Sequence, residues 1–73
     1  MKKHKLVLVF DDEILGVDPV MIFNNPIDAN NHLLFSTGKF VDVVFNFDNM
    51  SFSFRTKSTW TGYGSIYWAV DNS

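Results

Sequence analysis

Between Lys39 and Lys57 the apolar and polar positions alternate in a way that survives folding the segment back on itself, which predicts a β-hairpin. With Asp48 and Asn49 as a two-residue turn, Phe47 faces Met50, Phe45 faces Phe52, Val43 faces Phe54 and Val41 faces Thr56. One face is then almost wholly apolar. The other carries Phe40, Asp42, Val44 and Asn46 against Lys57, Arg55, Ser53 and Ser51, and reads as a solvent face with Asp42 and Arg55 as an opposite-charge pair. Asp and Asn tolerate the left-handed backbone of tight hairpins, although less readily than a turn containing Gly would.

Elsewhere the pattern predicts a strand over Lys5 to Phe10, apolar on both sides and therefore central in a sheet or under a helix. Asp11-Asp12-Glu13 ends it. Ile14 to Val17 is expected to pair back onto it through an Asp11-Asp12 turn, setting Leu8 opposite Leu15 and Leu6 opposite Val17. After Asp18-Pro19, the run Val20 to Phe23 fits either a strand or one helical turn. Asn25-Pro26 signals a helix start, with Asn25 as cap, Pro26 in the first turn and Asp28 at the positive end of the dipole. Gly38 supplies the stop, so one short helix is expected over residues 26–35, with Ile27 and Leu34 on its apolar side. A loop over Ser58 to Gly64 then leads to a last strand, Ser65 to Val70, antiparallel to Met50–Lys57. It carries Ile66, Trp68 and Val70 on one face and Tyr67 and Ala69 on the other.

These elements define a single α+β domain: an antiparallel sheet of four to five strands with one short helix over an apolar face of Val41, Val43, Phe45, Phe47, Phe52, Phe54, Ile66 and Trp68. An all-β domain is the alternative, should residues 26–35 form a loop. A chain of 73 residues buries only about 60% of its unfolded surface, which leaves a small stability margin and little room for a deep cleft. The aromatic content of 16%, with eight Phe, offsets that small size because each buried ring removes a large apolar area from water.

With no cysteine there is no disulfide and no thiolate metal site, which points to the cytoplasm. The basic start runs into an apolar stretch, Leu6 to Phe10, that is too short for a secretion signal or a membrane span. Seven Asn and five Lys against one Arg and two Ala suggest an AT-rich coding sequence, as in a low-GC bacterium or one of its phages.

The net charge of −2 conceals a partition. Three Lys lie in residues 1–5, five carboxylates and no Lys or Arg in residues 6–38, and three charges of each sign beyond. Asp11, Asp12, Glu13 and Asp18 therefore form an acidic region that would steer a basic partner, or else a solvated turn. Their spacing is not that of a calcium loop, and acid–base work by paired carboxylates would need a pocket to separate their pKa values. His4 and His32 have no second ligand nearby for zinc, and no Ser, His and carboxylate constellation is visible. No catalytic residue, metal or cofactor is assigned.

The segment Trp60-Thr61-Gly62-Tyr63-Gly64 places two aromatic residues in a loop that two glycines leave free to move. It reads either as an interface anchor or as a lid over the core. The glycine spacing lacks the third glycine and the following helix of a dinucleotide site. The expected function is a non-enzymatic module that binds another protein, of the kind a phage uses to inhibit a host enzyme that handles nucleic acid. Asp11, Asp12, Glu13 and Asp18 would meet a basic groove, with Trp60, Tyr63, Tyr67 and Phe40 as anchors. One alternative is a binder of single-stranded nucleic acid or nucleotide that stacks bases on those four rings, against which stands the scarcity of Lys and Arg. The other is a homo-oligomer, for which an exposed Phe40 and an open sheet edge would be the means.

Overall fold

The computed structural model describes residues 3–71. It contains strand β1 (Lys3–Phe10), β2 (Val20–Phe23), helix α1 (Pro26–Asn31) continued by a π-helical turn (His32–Ser36), and strands β3 (Phe40–Asn46), β4 (Ser51–Thr56) and β5 (Thr61–Asp71). The strands form one antiparallel sheet in the order β2-β1-β5-β4-β3. The helix crosses one face of it, making a small α+β fold. No helix among the described residues is long and apolar enough to cross a membrane.

Strand β1 lies between β2 and β5, as its two-sided apolar pattern requires. Leu6, Leu8 and Phe10 are buried beneath the helix, while Val7 and Val9 are half-buried on the other face. Its hairpin partner is not Ile14–Val17 but Val20–Phe23, in the register Leu8↔Met21 and Leu6↔Phe23. Gly16, at φ +82°, makes residues 14–17 a tight turn closed by the Val17 N–H to the Ile14 carbonyl at 3.0 Å. Such a turn cannot also run extended beside β1. The run 20–23 can, with Met21 and Phe23 turned inward.

The β3–β4 register follows the sequence pattern from Asp42↔Arg55 through Val43↔Phe54 and Phe45↔Phe52 to Asn46↔Ser51. Arg55 Nη2 lies 2.7 Å from Asp42 Oδ2 on the exposed face. Two features depart from expectation. The turn spans Phe47 to Met50, with Met50 rather than Asp48 or Asn49 in the left-handed region at φ 53°; it is a four-residue loop, a length class most often built around a type I turn. It is supported by the Asp48 N–H donating to Asn46 Oδ1 at 3.0 Å.

The second departure is a bulge at Val41, which puts Phe40 rather than Val41 opposite Thr56. Phe40, expected on the solvent face, is thereby turned into the core and left only 2% exposed, while Val41 swings out. Burying a phenyl ring in place of a valine outweighs one irregular pair in an edge strand.

The predicted loop before the last strand is shorter than expected, because β5 begins at Thr61 and includes both glycines. A Cβ on Gly62 would lie 2.3 Å from Phe54 Cζ, and one on Gly64 2.3 Å from Phe52 Cζ and 2.5 Å from the Val9 carbonyl oxygen. The glycines are thus seats for the rings of the neighbouring strand, not hinges. The turn Lys57–Thr59 joins β4 to β5 as a three-residue loop, with the Thr56 N–H on the Trp60 carbonyl at 3.0 Å and Thr59 left-handed at φ 72°. Strand β5 pairs with β4 on one side, as expected, and with β1 along its length on the other.

Asn25 caps α1 as predicted, its Oδ1 accepting from the Asp28 N–H at 2.8 Å. Ala29 of α1 and Leu33 of the following turn are buried and Leu34 is half-buried against the core as expected, whereas Ile27 points to solvent. The π-helical turn ends on the Thr37 N–H to the His32 carbonyl at 3.1 Å, and Thr37 Oγ1 donates to the Leu33 carbonyl at 2.8 Å.

Phe10 is central to the core, with its ring 5.1 Å from Phe52, 5.3 Å from Phe54 and 6.0 Å from Phe40. Val43 and Phe45 are half-buried at its rim. Phe47 and Trp68, expected inside, stack on each other at 6.0 Å, and both are substantially exposed.

Truncating Phe52 to Ala should destabilise the domain by about 3–5 kcal/mol, and Gly64→Ala should cost a comparable amount because the blocking atoms include backbone. Chemical denaturation of both variants checks this; a small loss in Gly64→Ala would show that the ring is not seated on the strand. Thr59→Gly should raise stability by about 0.5–1 kcal/mol, since relieving about 1–2 kcal/mol of left-handed strain exceeds glycine's added chain entropy of about 0.5–1. A shift of the thermal midpoint upward is the readout.

Candidate functional site

The acidic residues are gathered at the end of the sheet where β1 stops. Asp11 continues the β1 ladder by donating its N–H to the Tyr63 carbonyl at 3.0 Å, and the Phe10 N–H bonds the Pro19 carbonyl at 2.8 Å. These two bonds anchor the ends of the loop 11–19. Asp11, Asp12, Glu13 and Asp18 are all exposed on it.

Leu15 stands at the tip of the loop, 92% exposed. On the helix side, Glu13 and Leu15 share a hollow of about 400 Å³ with Trp60 and Lys39. The alkyl end of Lys39 reaches over Gly16, where a Cβ would lie 3.5 Å from its Cε. On the other side of the sheet, Tyr63 projects from β5 beside Asp11 and is 59% exposed. The acidic loop is therefore flanked by Trp60 on one face and Tyr63 on the other.

Trp60 is anchored rather than free. Its ring meets Phe54 edge-on at 5.7 Å, and its Cζ3 lies over Gly62, leaving it 39% exposed. It covers the end of the core and still presents an indole edge to solvent. Such a half-buried ring loses little entropy when a partner covers it.

Of the other expected anchors, Tyr67 lies on the same face as Tyr63, separated from it by Ser65, and is well exposed. Phe40 is removed from the set because the bulge buries it. The face bearing the two tyrosines also carries Val20 and Ile22 of β2 and Val7 and Val9 of β1, and no described element packs on it.

Leu15, Val20 and Ile22 escaped the sequence reading because short apolar runs were expected to be inside. For Val20 and Ile22 the signal is the period of two in β2, where they hold the outward positions; Leu15, outside that strand, has none. Among the described residues no group of three His, Asp or Glu side chains is placed to hold a metal ion. Comparison with protein-family models, with curated proteins and with solved structures finds no match for this chain.

Proposed function

We propose that this protein is a non-enzymatic module that binds a basic protein partner through its acidic end, and that it acts in the cytoplasm as an inhibitor of the kind phages direct at host enzymes that handle nucleic acid. The observation carrying this reading is the convergence of four carboxylates, the exposed Leu15 and the flanking rings of Trp60 and Tyr63 on one end of a rigid sheet. Carboxylates on a loop steer a basic groove toward the site and set orientation, while partly buried aromatics supply most of the contact energy. The loop is tethered at both ends by backbone hydrogen bonds, so little ordering cost remains for binding.

A second reading, stacking of single-stranded nucleic acid on the sheet, is favoured by Tyr63 and Tyr67 standing on one uncovered face. It is opposed by charge. Arg55, the cation of β4 on that face, is already paired with Asp42.

Pull-down from lysate of a low-GC bacterium after nuclease treatment, using the tagged wild-type chain and a variant with Asp11→Lys, Asp12→Lys and Glu13→Lys, tests the reading. One protein should be retained by the wild type at low salt and lost, by about tenfold or more in affinity, with the variant. Trp60→Ala should weaken the same complex by roughly 2 kcal/mol. Retention that ignores charge reversal would dismiss the electrostatic part of the proposal, and retention of nucleic acid alone would favour the stacking reading.

A further inference from the structure

The uncovered face of β2-β1-β5 is complementary to itself under a twofold rotation, and we infer that it is the docking surface for a second copy of this chain. The argument rests on the order of residues along three registered strands. Along β5 the outward positions read Tyr63, Ser65, Tyr67, Ala69, alternating large and small. Along β1 they read Lys5, Val7, Val9 and, continuing the ladder, Asp11, with a cation at one end and an anion at the other. Along β2 they are Val20 and Ile22, which pair with Val9 and Val7.

A twofold axis lying between two such faces, running across the strands at the register pair Leu8↔Ile66, reverses each row onto itself. Tyr67 then falls on the partner's Ser65 and Tyr63 on the partner's Ala69, so each ring meets a small residue. Val7 falls on the partner's Val9 and Ile22 on the partner's Val20. Lys5 falls on the partner's Asp11, and the symmetry makes that pair twice. The seat for the partner's Tyr63 is visible as a hollow of about 290 Å³ lined by Lys5, Ile22, Ala69 and Val70. At present Lys5 Nζ donates to Asn24 Oδ1, an exposed contact that leaves the ammonium free to turn toward a second acceptor.

Packing of sheet on sheet at about 10 Å spacing and about 30° crossing keeps these rows in contact near the axis. The shift of Ser51–Arg55 and Asp42–Asn46 toward one end keeps them at the rim. They are mainly polar there, with the Asp42–Arg55 pair outermost. Three strands about 4.8 Å apart and about seven residues long project roughly 330 Å² on each copy, well below the roughly 800 Å² per partner of a standard interface, so the contact belongs to the weak, transient class. The dimer should accordingly be weak and salt-sensitive, forming in the micromolar range or above.

This inference does not depend on the proposed partner, and its test uses the full chain alone. Sedimentation equilibrium from micromolar to millimolar protein at low salt should show the 8.4 kDa chain passing to twice that mass, and high salt should reverse the change. Lys5→Asp and Asp11→Lys should each weaken self-association by about tenfold or more, because each sets like charges against one another at both symmetric contacts. Mixed together, the two variants should form a heterodimer as tight as the wild-type dimer, since both cross-pairs are then opposite in charge. Ala69→Arg, filling the seat of Tyr63, should abolish the dimer while leaving the thermal midpoint of the monomer unchanged. A chain that stays monomeric at millimolar concentration would overturn the inference. So would a dimer indifferent to Ala69→Arg, or charge variants that do not recover on mixing.

Discussion

The structure depends on the passage of two phenyl rings across a bare strand. Phe52 and Phe54 of β4 lie over Gly64 and Gly62 of β5, at distances no Cβ could share. Because the rings cross β5 rather than standing up from β4, they reach Phe10 on β1 and close the aromatic cluster over the middle of the sheet. The layer beneath the helix is thin as a result. A short helix contributing little more than Ala29 and Leu33 is then enough to complete it, which is how a chain of this size dispenses with cross-links.

How far this could be read from the sequence differs by element. The β3–β4 register is legible because the alternation from Asp42 to Asn46 agrees with that from Ser51 to Arg55 across the turn, and the cap at Asn25 because Asn-Pro-x-Asp is a local signal with a local cause. The bulge at Val41 was not, since period-two counting is blind to one extra residue, and the gain from burying Phe40 appears only once Phe10 and Phe54 are in place. The glycines of β5 looked like loop residues for a related reason: what they make room for lies on another strand. Residues 14–17 and 20–23 are both short apolar runs, and Gly16 decides between them.

The candidate site shows the same division. The charge partition was visible in composition, and the loop does carry its carboxylates outward. That Trp60 and Tyr63 stand on opposite faces of the sheet follows from β5 beginning at Thr61, which makes adjacent positions point apart. The uncovered face is still less legible in a linear reading, because its rows are assembled from three strands that are distant along the chain. Its alternating sizes and opposite charges acquire meaning only once the register is known.

The pairing of β1 with β5 also bears on the order in which the molecule can assemble. The β3-β4-β5 meander joins neighbours in sequence through two short turns and can close early, whereas β1 must wait for a partner that lies almost the whole described chain away. Until that seam closes, Leu6, Leu8 and Phe10 have only the short β2 beside them, and the rings of Phe52 and Phe54 lack their contact with Phe10. Strand β1, interior to the finished sheet, is thus the last to be fixed on its β5 side, and its apolar residues stay without that partner until β5 has been made.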